Sequence, residues 1–399
     1  MKSRIAILTV MMVLALSTLA ANVETDRPWY LAGEELRVTI TDGNAAVAYA
    51  ELCDTAGLAA GVAVRLEQGQ GTGVIPLPRD LHSGYYVLSV YTRHETQVSH
   101  QLVAVINPLQ RHAADDIEWV AGDRCQPLAA GAAEVVSEKD ADIPETEGHI
   151  IKARIKNRYG DHTFSGDENR ASLSMVGKQL HYFEGWMVND SLVLFNTYGV
   201  HGRQKLVLSA VTTTGVRLPI EMLTPFATLL PKKLPHLVFH YERQEVETRS
   251  LDMQRRQAAL VTDLPSGYDD TLFGGKPDMS YNLDEYRQFL TIREVLTEYV
   301  TDVTKKTVQE GTRLFVLGAQ GHNDGLWPTL VLIDGMPVFD TERLLNYDAR
   351  RVHYINIYGG EYTFGHTVYH GILSFVTRSG ELTNYPTEEN MQYVEYVLP

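Results

Sequence analysis

Apolar and polar residues alternate with a period of two along much of this chain. Leu36, Val38 and Ile40 interleave with Arg37, Thr39 and Thr41, the spacing of a half-buried strand. Asp42-Gly43-Asn44 then marks a turn. Residues 47–53, 85–92 and 101–106 repeat the strand signal with aromatic and β-branched side chains, and Gly69, Gly71 and Gly73 read as a connection between strands. Short strands at this spacing predict an all-β sandwich over 22–108. A second sandwich is expected over 148–240. There Ile151, Ala153 and Ile155 face one way and Lys152, Arg154 and Lys156 the other, with further strands at 192–195, 205–211 and 217–223. Thr213-Thr214-Gly215 turns between the last two, and Leu237-Val238-Phe239 reads as a closing strand.

The pattern changes in three places. Residues 109–147 are dominated by Ala, Gly, Asp and Glu, with Pro127 and Pro144, and read as a linker. Residues 241–282 read as an irregular connector with a short helix near 251–261. From 283 the period becomes helical: Tyr286, Phe289, Leu290, Leu296, Tyr299 and Val300 keep a 3-4 rhythm that predicts a helix over 283–300. Thr291 and Glu294 have capping-box spacing, so a new helix can begin inside that stretch. Strands are expected at 313–317, 329–333, 351–358 and 371–377, and 381–399 reads as a tail. The expected fold class is therefore mainly β with a C-terminal α+β part.

Met1 to Ala21 reads as a secretory signal peptide: Lys2 and Arg4, then twelve apolar residues from Ile5 to Leu16, then Thr18-Leu19-Ala20 at the cleavage positions. That apolar run is too short to span a bilayer, which takes about 20 residues, and no later run reaches that length, so no transmembrane segment is expected in the mature chain. The net charge is −15 and becomes more negative once Lys2 and Arg4 leave. Such a balance argues against nucleic acid as a partner and against an electrostatic grip on anionic lipid. Export permits a disulfide between Cys53 and Cys125, worth about 4 kcal/mol in a chain-entropy account; two unpaired thiols are the alternative.

Motifs that carry chemistry are sparse. The chain has no Gly-x-Ser-x-Gly elbow, His-Glu-x-x-His pair or P-loop. His322 and Asp324 could be imagined as a base and an acid, but a polar turn is the simpler reading. The same holds for His162 beside Asp161 and for Asp269-Asp270. His236 and His240 stand at a helical metal spacing, yet they bracket a strand. Glu138, Asp140, Asp142 and Glu145 lack the glycine turn and ligand spacing of a calcium loop. No catalytic, cofactor-binding or metal-ligating residue is assigned, and no cofactor is expected.

Two stretches resemble known families. Asp26-Arg27-Pro28-Trp29-Tyr30 followed by Ala32-Gly33-Glu34, and later Gly84-Tyr85-Tyr86, resemble the opening and the late strand of a macroglobulin-type domain, which implies an immunoglobulin-like sandwich. The thioester motif of large macroglobulins is not present around Cys53 or Cys125. Residues 290–380 resemble the plug domain of TonB-dependent outer-membrane receptors. The resemblance rests on Leu332-Ile333-Asp334-Gly335-Met336-Pro337, on Tyr347-Asp348, on the strand ending at Gly359-Gly360, and on His370-Gly371-Ile372 through Ser379-Gly380. In receptors the plug fills a 22-stranded barrel, whereas 19 residues follow Gly380 here, and no TonB box follows the leader. The resemblance implies two immunoglobulin-like sandwiches followed by a plug-like αβ domain over 283–380. It further implies an exported, non-enzymatic cell-envelope protein of the periplasm, docking at the outer membrane with protein partners such as a barrel protein. An accessory lid for TonB-dependent uptake and a non-covalent macroglobulin-like protease inhibitor, with 109–147 as its bait, are the alternatives.

Overall fold

A computed structural model describes residues 21–42, 45–176, 181–259, 276–308, 311–317, 328–365, 367–380, 382, 385 and 388–399. The expected signal peptide, save Ala21, the His322–Asp324 pair and Asp269-Asp270 lie outside them. The chain divides into two compact units, Met1–Pro144 with Thr228–Glu247, and Glu145–Ala227 with Thr248–Pro399.

The first unit opens with β1 (Asn22–Thr25), β2 (Trp29–Leu31), β3 (Glu35–Thr41), β4 (Val47–Cys53), β5 (Leu58–Arg65), β6 (Gln70–Pro76), β7 (Gly84–Tyr91) and β8 (Ser99–Ile106). They form two sheets, β1-β3-β6 and β2-β8-β7-β4-β5. Leu36, Val38 and Ile40 from one sheet meet Leu52, Tyr86 and Val103 from the other in a shared core. The glycine-rich connection is strand β6 instead. A Cβ on Gly71 would stand 2.2 Å from the Arg65 carbonyl, and one on Gly73 2.5 Å from Val64. Gly71 and Gly73 are there because β5 passes that close, whereas Gly69, at φ 80°, does sit in the turn between β5 and β6.

Residues 109–147, expected as a linker, hold β9 (Ile117–Ala121) and β10 (Gln126–Ala130). Their partner comes much later. The second unit intervenes with β11 (Ile150–Ile155), β12 (Arg158–Tyr159), β13 (His162–Thr163), β14 (Asn169–Val176), β15 (His181–Glu184), β16 (Trp186–Met187), β17 (Leu192–Asn196), β18 (Gly202–Thr212) and β19 (Ile220–Met222). Then β20 (His236–Tyr241) runs between β9, parallel, and β10, antiparallel. The expected closing strand thus belongs to the first unit. Leu237 and Phe239 of β20 pack on Trp29, Leu31 and Ile106, so the sheet containing β2 and β8 is covered on its second face too. Every residue of β9 and β10 is exposed or half-buried, so neither strand offers a buried apolar face to read as alternation.

The remaining elements are α1 (Arg243–Ala259), β21 (Met279–Asn282), α2 (Ile292–Glu298), β22 (Val303–Val308), β23 (Gly311–Val316), β24 (Leu330–Ile333), β25 (Met336–Pro337), α3 (Thr341–Leu345), β26 (Val352–Phe364), β27 (Thr367–Thr377) and β28 (Met391–Leu398). Helix α1 is longer than the short helix expected near 251–261: Glu242 accepts from the Gln244 and Glu245 amides at its start, and Val246, Ser250 and Met253 make one narrow buried stripe. The helix expected over 283–300 is instead a 3-10 turn, Leu283–Glu285, and then α2. Thr291 and Glu294 do form the reciprocal capping box that starts α2.

Within the second unit, β16-β17-β11-β19 faces β15-β14-β18-β28 across a core of Ile151, Ala153, Val193, Phe195, Leu206 and Leu208. The expected tail is therefore a sandwich strand: β28 pairs antiparallel with β18 from Gly202↔Leu398 to Ser209↔Met391. A five-stranded sheet of the unit, β21-β26-β27-β24-β25, carries α2 and α3 on one core that extends to Val176 and Val207 of the sandwich. Asp334 and Gly335 turn between β24 and β25 with φ of 45° and 86°, as Asp-Gly predicts. The β26–β27 register shifts between Tyr358 and Glu361, at Gly359-Gly360. A Cβ on Gly371 would reach within 2.7 Å of Val316.

The Asp334 side chain, fully buried, accepts from the Thr377 amide at 2.7 Å, the Thr377 hydroxyl at 2.5 Å and the Leu382 amide at 2.8 Å. Asp334→Ala would strand these buried donors and should cost about 3–5 kcal/mol, read as a lower urea midpoint. Asp334→Asn, which keeps a carbonyl acceptor, should cost less. A loss below about 1 kcal/mol for the alanine variant would contradict this role.

Candidate functional site

The second unit contains a cleft of about 280 Å³ between the β18–β19 turn, β23 and the start of β24. Thr212, Arg217, Thr329 and Phe339 are among its lining, with Tyr182 and Tyr369 at one side. Several of its polar groups are committed to the fold. The Thr329 hydroxyl accepts from the Val316 amide and donates to the His370 carbonyl, and the Thr212 hydroxyl accepts from the Val216 amide. The Tyr182 and Tyr369 hydroxyls stand 3.4 Å apart, and burial raises both phenols above their ordinary value, so both stay neutral. Arg217 pairs with Asp340 at 3.6 Å and Glu388 at 3.4 Å.

Glu51 in the first unit and Glu145, Asp334 and Glu388 in the second are buried, and each accepts from backbone. Glu51, inside the apolar strand β4, takes the Thr228 and Leu229 amides at 2.9 and 2.5 Å and the Tyr91 hydroxyl at 3.0 Å. Glu145 takes the Ile150 amide at 2.6 Å and stands 3.1 Å from His149 Nδ1, while His149 Nε2 lies 2.8 Å from the Tyr396 hydroxyl. A carboxylate, an imidazole and a hydroxyl in line have the order of a proton relay. Here Glu145 and His149 are both buried, and the His149 and Tyr396 rings stack, so the relay clamps the start of β11 to β28. Glu184 on β15 holds the β26–β27 hairpin by accepting from the Thr367 amide and hydroxyl.

Both cysteines are free. Burial, then the neighbouring Glu51 and Asp54, pushes the Cys53 thiol up to about 12. Burial also lifts Cys125 to about 11, and its sulfur contacts the Glu242 backbone. Neither is a thiolate near neutral pH. Among the described residues, no group of three or more His, Cys, Asp and Glu could hold a metal ion. His236 and His240 lie on β20, with His236 Nδ1 2.5 Å from Asp116. His162 sits edge-on to Phe164 in the β12–β13 hairpin. Among the described residues, no helix is long and apolar enough to cross a membrane.

Sequence reasoning passed over Glu51, Glu184 and Glu388, and weighed Glu145 only as a calcium ligand. Glu51 had a readable signal, a lone charge in Val-Ala-Tyr-Ala-Glu-Leu-Cys. Glu184 and Glu388 had none, because their donors come from far along the chain.

No family model matches this chain, and neither does any curated protein. Among solved structures, Escherichia coli α2-macroglobulin in its native conformation aligns at 11% identity over 56% of this chain and 14% of that one, with a TM-score of 0.20. A biofilm-associated protein BSP domain aligns at 10% identity over 55% of this chain and 30% of that one, TM-score 0.18. The two immunoglobulin domains of DIP-gamma align at 11% identity over 55% and 99%, TM-score 0.15. The chain thus spans a small part of the macroglobulin it matches, and scores this low carry no argument about activity. The description of the chain as mainly β, with two β-sandwiches, rests on its own sheets.

Burial holds the Glu388 carboxyl above its usual range, opposed by the Asp340 amide and Arg217. The stability this gives is full below the unfolded carboxyl value and is lost as pH rises through the raised one. Glu388→Gln should therefore gain on the native protein between pH 4 and 7 in thermal melts. A difference that stays flat with pH would contradict the assignment.

Proposed function

We propose that this chain is a non-enzymatic cell-envelope protein that acts as a docking or scaffold module at the outer membrane. In this reading it is exported by its leader to the periplasm. Its first sandwich is macroglobulin-like, and the αβ region of the second unit is a plug-like domain that works outside a barrel of its own. The observation that carries the proposal is the use of the buried acids: Glu51, Glu145 and Asp334 each accept from main-chain amides, which builds rigid frames. The Asp-Gly turn, the bulge at Gly359-Gly360 and the close approach at Gly371 support the plug-like reading.

The accessory-lid reading draws on the same αβ region. The protease-inhibitor reading is weaker, because 117–121 and 126–130 of its bait segment are paired with β20. The test is affinity purification of the tagged chain from detergent-solubilised envelopes. Recovery in the outer-membrane fraction with a defined protein partner is the expected result. A chain that is always monomeric and never membrane-associated would overturn the proposal.

A further inference from the structure

The cleft of the second unit is lined by two groups that the fold leaves unused. The first is the Arg217 guanidinium, which enters from the connection between β18 and β19 and is half-buried. Its acids stand close without taking its donors. Asp340 lies at 3.6 Å and Glu388 at 3.4 Å, and among the described residues Glu388 Oε2, in a side chain 3% exposed, has no hydrogen-bond partner. No other described group accepts from this guanidinium, which carries five N–H donors in a planar fork. The second group is the Phe339 ring. It lines the same cleft, is half-buried, and stacks on no ring or cation among the described residues.

The acids hold Arg217 in place without cancelling it. Asp340 is shared: its Oδ2 also lies 3.8 Å from Arg343 Nε, and its Oδ1 accepts from the Arg343 amide. Burial holds the Glu388 carboxyl above its usual range, so it opposes an incoming anion less than an exposed acid would. Arg313 lines the cleft too but is engaged elsewhere, which leaves the fork of Arg217 as the one on offer. The rest of the wall sets the other half of the ligand. Val211 and Val338 are half-buried beside Phe339, and the Thr212 and Thr329 hydroxyls are taken by backbone. A sugar would find few donors and acceptors to match its hydroxyls. A bare inorganic anion would leave the apolar wall wet. About 280 Å³ is at the small end of ligand sites.

We infer that this cleft binds a small carboxylate with an aromatic body, whose two oxygens accept from the Arg217 guanidinium while its ring lies against Phe339. The inference goes beyond the docking reading and does not rest on it. The probe is benzoate, titrated calorimetrically into the full chain, with benzamide as a control of the same shape without the charge. Benzoate should bind with a Kd of about 0.1–1 mM, and benzamide about tenfold more weakly or worse. Arg217→Gln should weaken benzoate by about tenfold or more. Thr213→Trp fills the exposed rim of the cleft, where the threonine side chain has no partner among the described residues. It should block benzoate at an unchanged melting temperature, which keeps the test independent of how well the Arg217 variant folds. Glu388→Gln removes an acid and leaves the fork, so it should bind benzoate at least as tightly as the native chain. Benzamide or acetate binding as tightly as benzoate, no binding of benzoate, or full binding by both the Arg217→Gln and Thr213→Trp chains would each overturn the inference. So would loss of binding in a folded Glu388→Gln chain.

Discussion

Strand β28 is the constraint on which the second unit depends. Its backbone completes the sheet beside β18, and its side chains serve two cores. Val394, Tyr396 and Leu398 belong to the sandwich core. Met391 packs on the αβ core, and the Tyr393 hydroxyl meets the Met336 sulfur at 3.0 Å. The Gln392 side chain accepts from the Met222 amide of β19, which links the two facing sheets. The αβ region therefore lies, in sequence, between strands of one sandwich. Both of its ends are held, which lowers the conformational freedom it would have as an appended domain.

Around that strand, acids do the fastening. Asp334 secures the segment after β27, Glu388 secures the start of α3, and Glu184 secures the long hairpin. A carboxylate that accepts several donors in a buried site is costly to lose and unlike a group kept ready for proton transfer. The cleft beside Arg217 is similar, since its Thr212 and Thr329 hydroxyls are taken by backbone. A protein built this way presents rigid faces.

Local patterning was legible wherever a strand or turn is shaped by its own residues. Leu36, Val38 and Ile40 alternate into a core, Asp334-Gly335 turns, and Thr291 with Glu294 caps α2. It failed where the partner is remote. The glycines of β6 answer to β5 rather than to a turn, and β9 and β10 wait for β20 more than a hundred residues later. The tail could not be read as a strand because Tyr393, Glu395 and Val397 face outward on an edge, so apolar and polar residues do not separate by face. Likewise, the cleft beside Arg217 brings Thr212, Thr329 and Phe339 together from separate parts of the chain. The candidate site was therefore invisible as a pattern, although each of its residues was in plain view.

Native-state hydrogen exchange tests the central claim most directly, because it reports the opening free energy of each strand separately. If β28 binds sandwich and αβ region into one folding unit, amides of β18, β26, β27 and β28 should share one opening free energy and lose protection together as denaturant is added. Early exchange of β26 and β27 while β18 and β28 stay protected would contradict it, since the αβ region would then be an independent passenger.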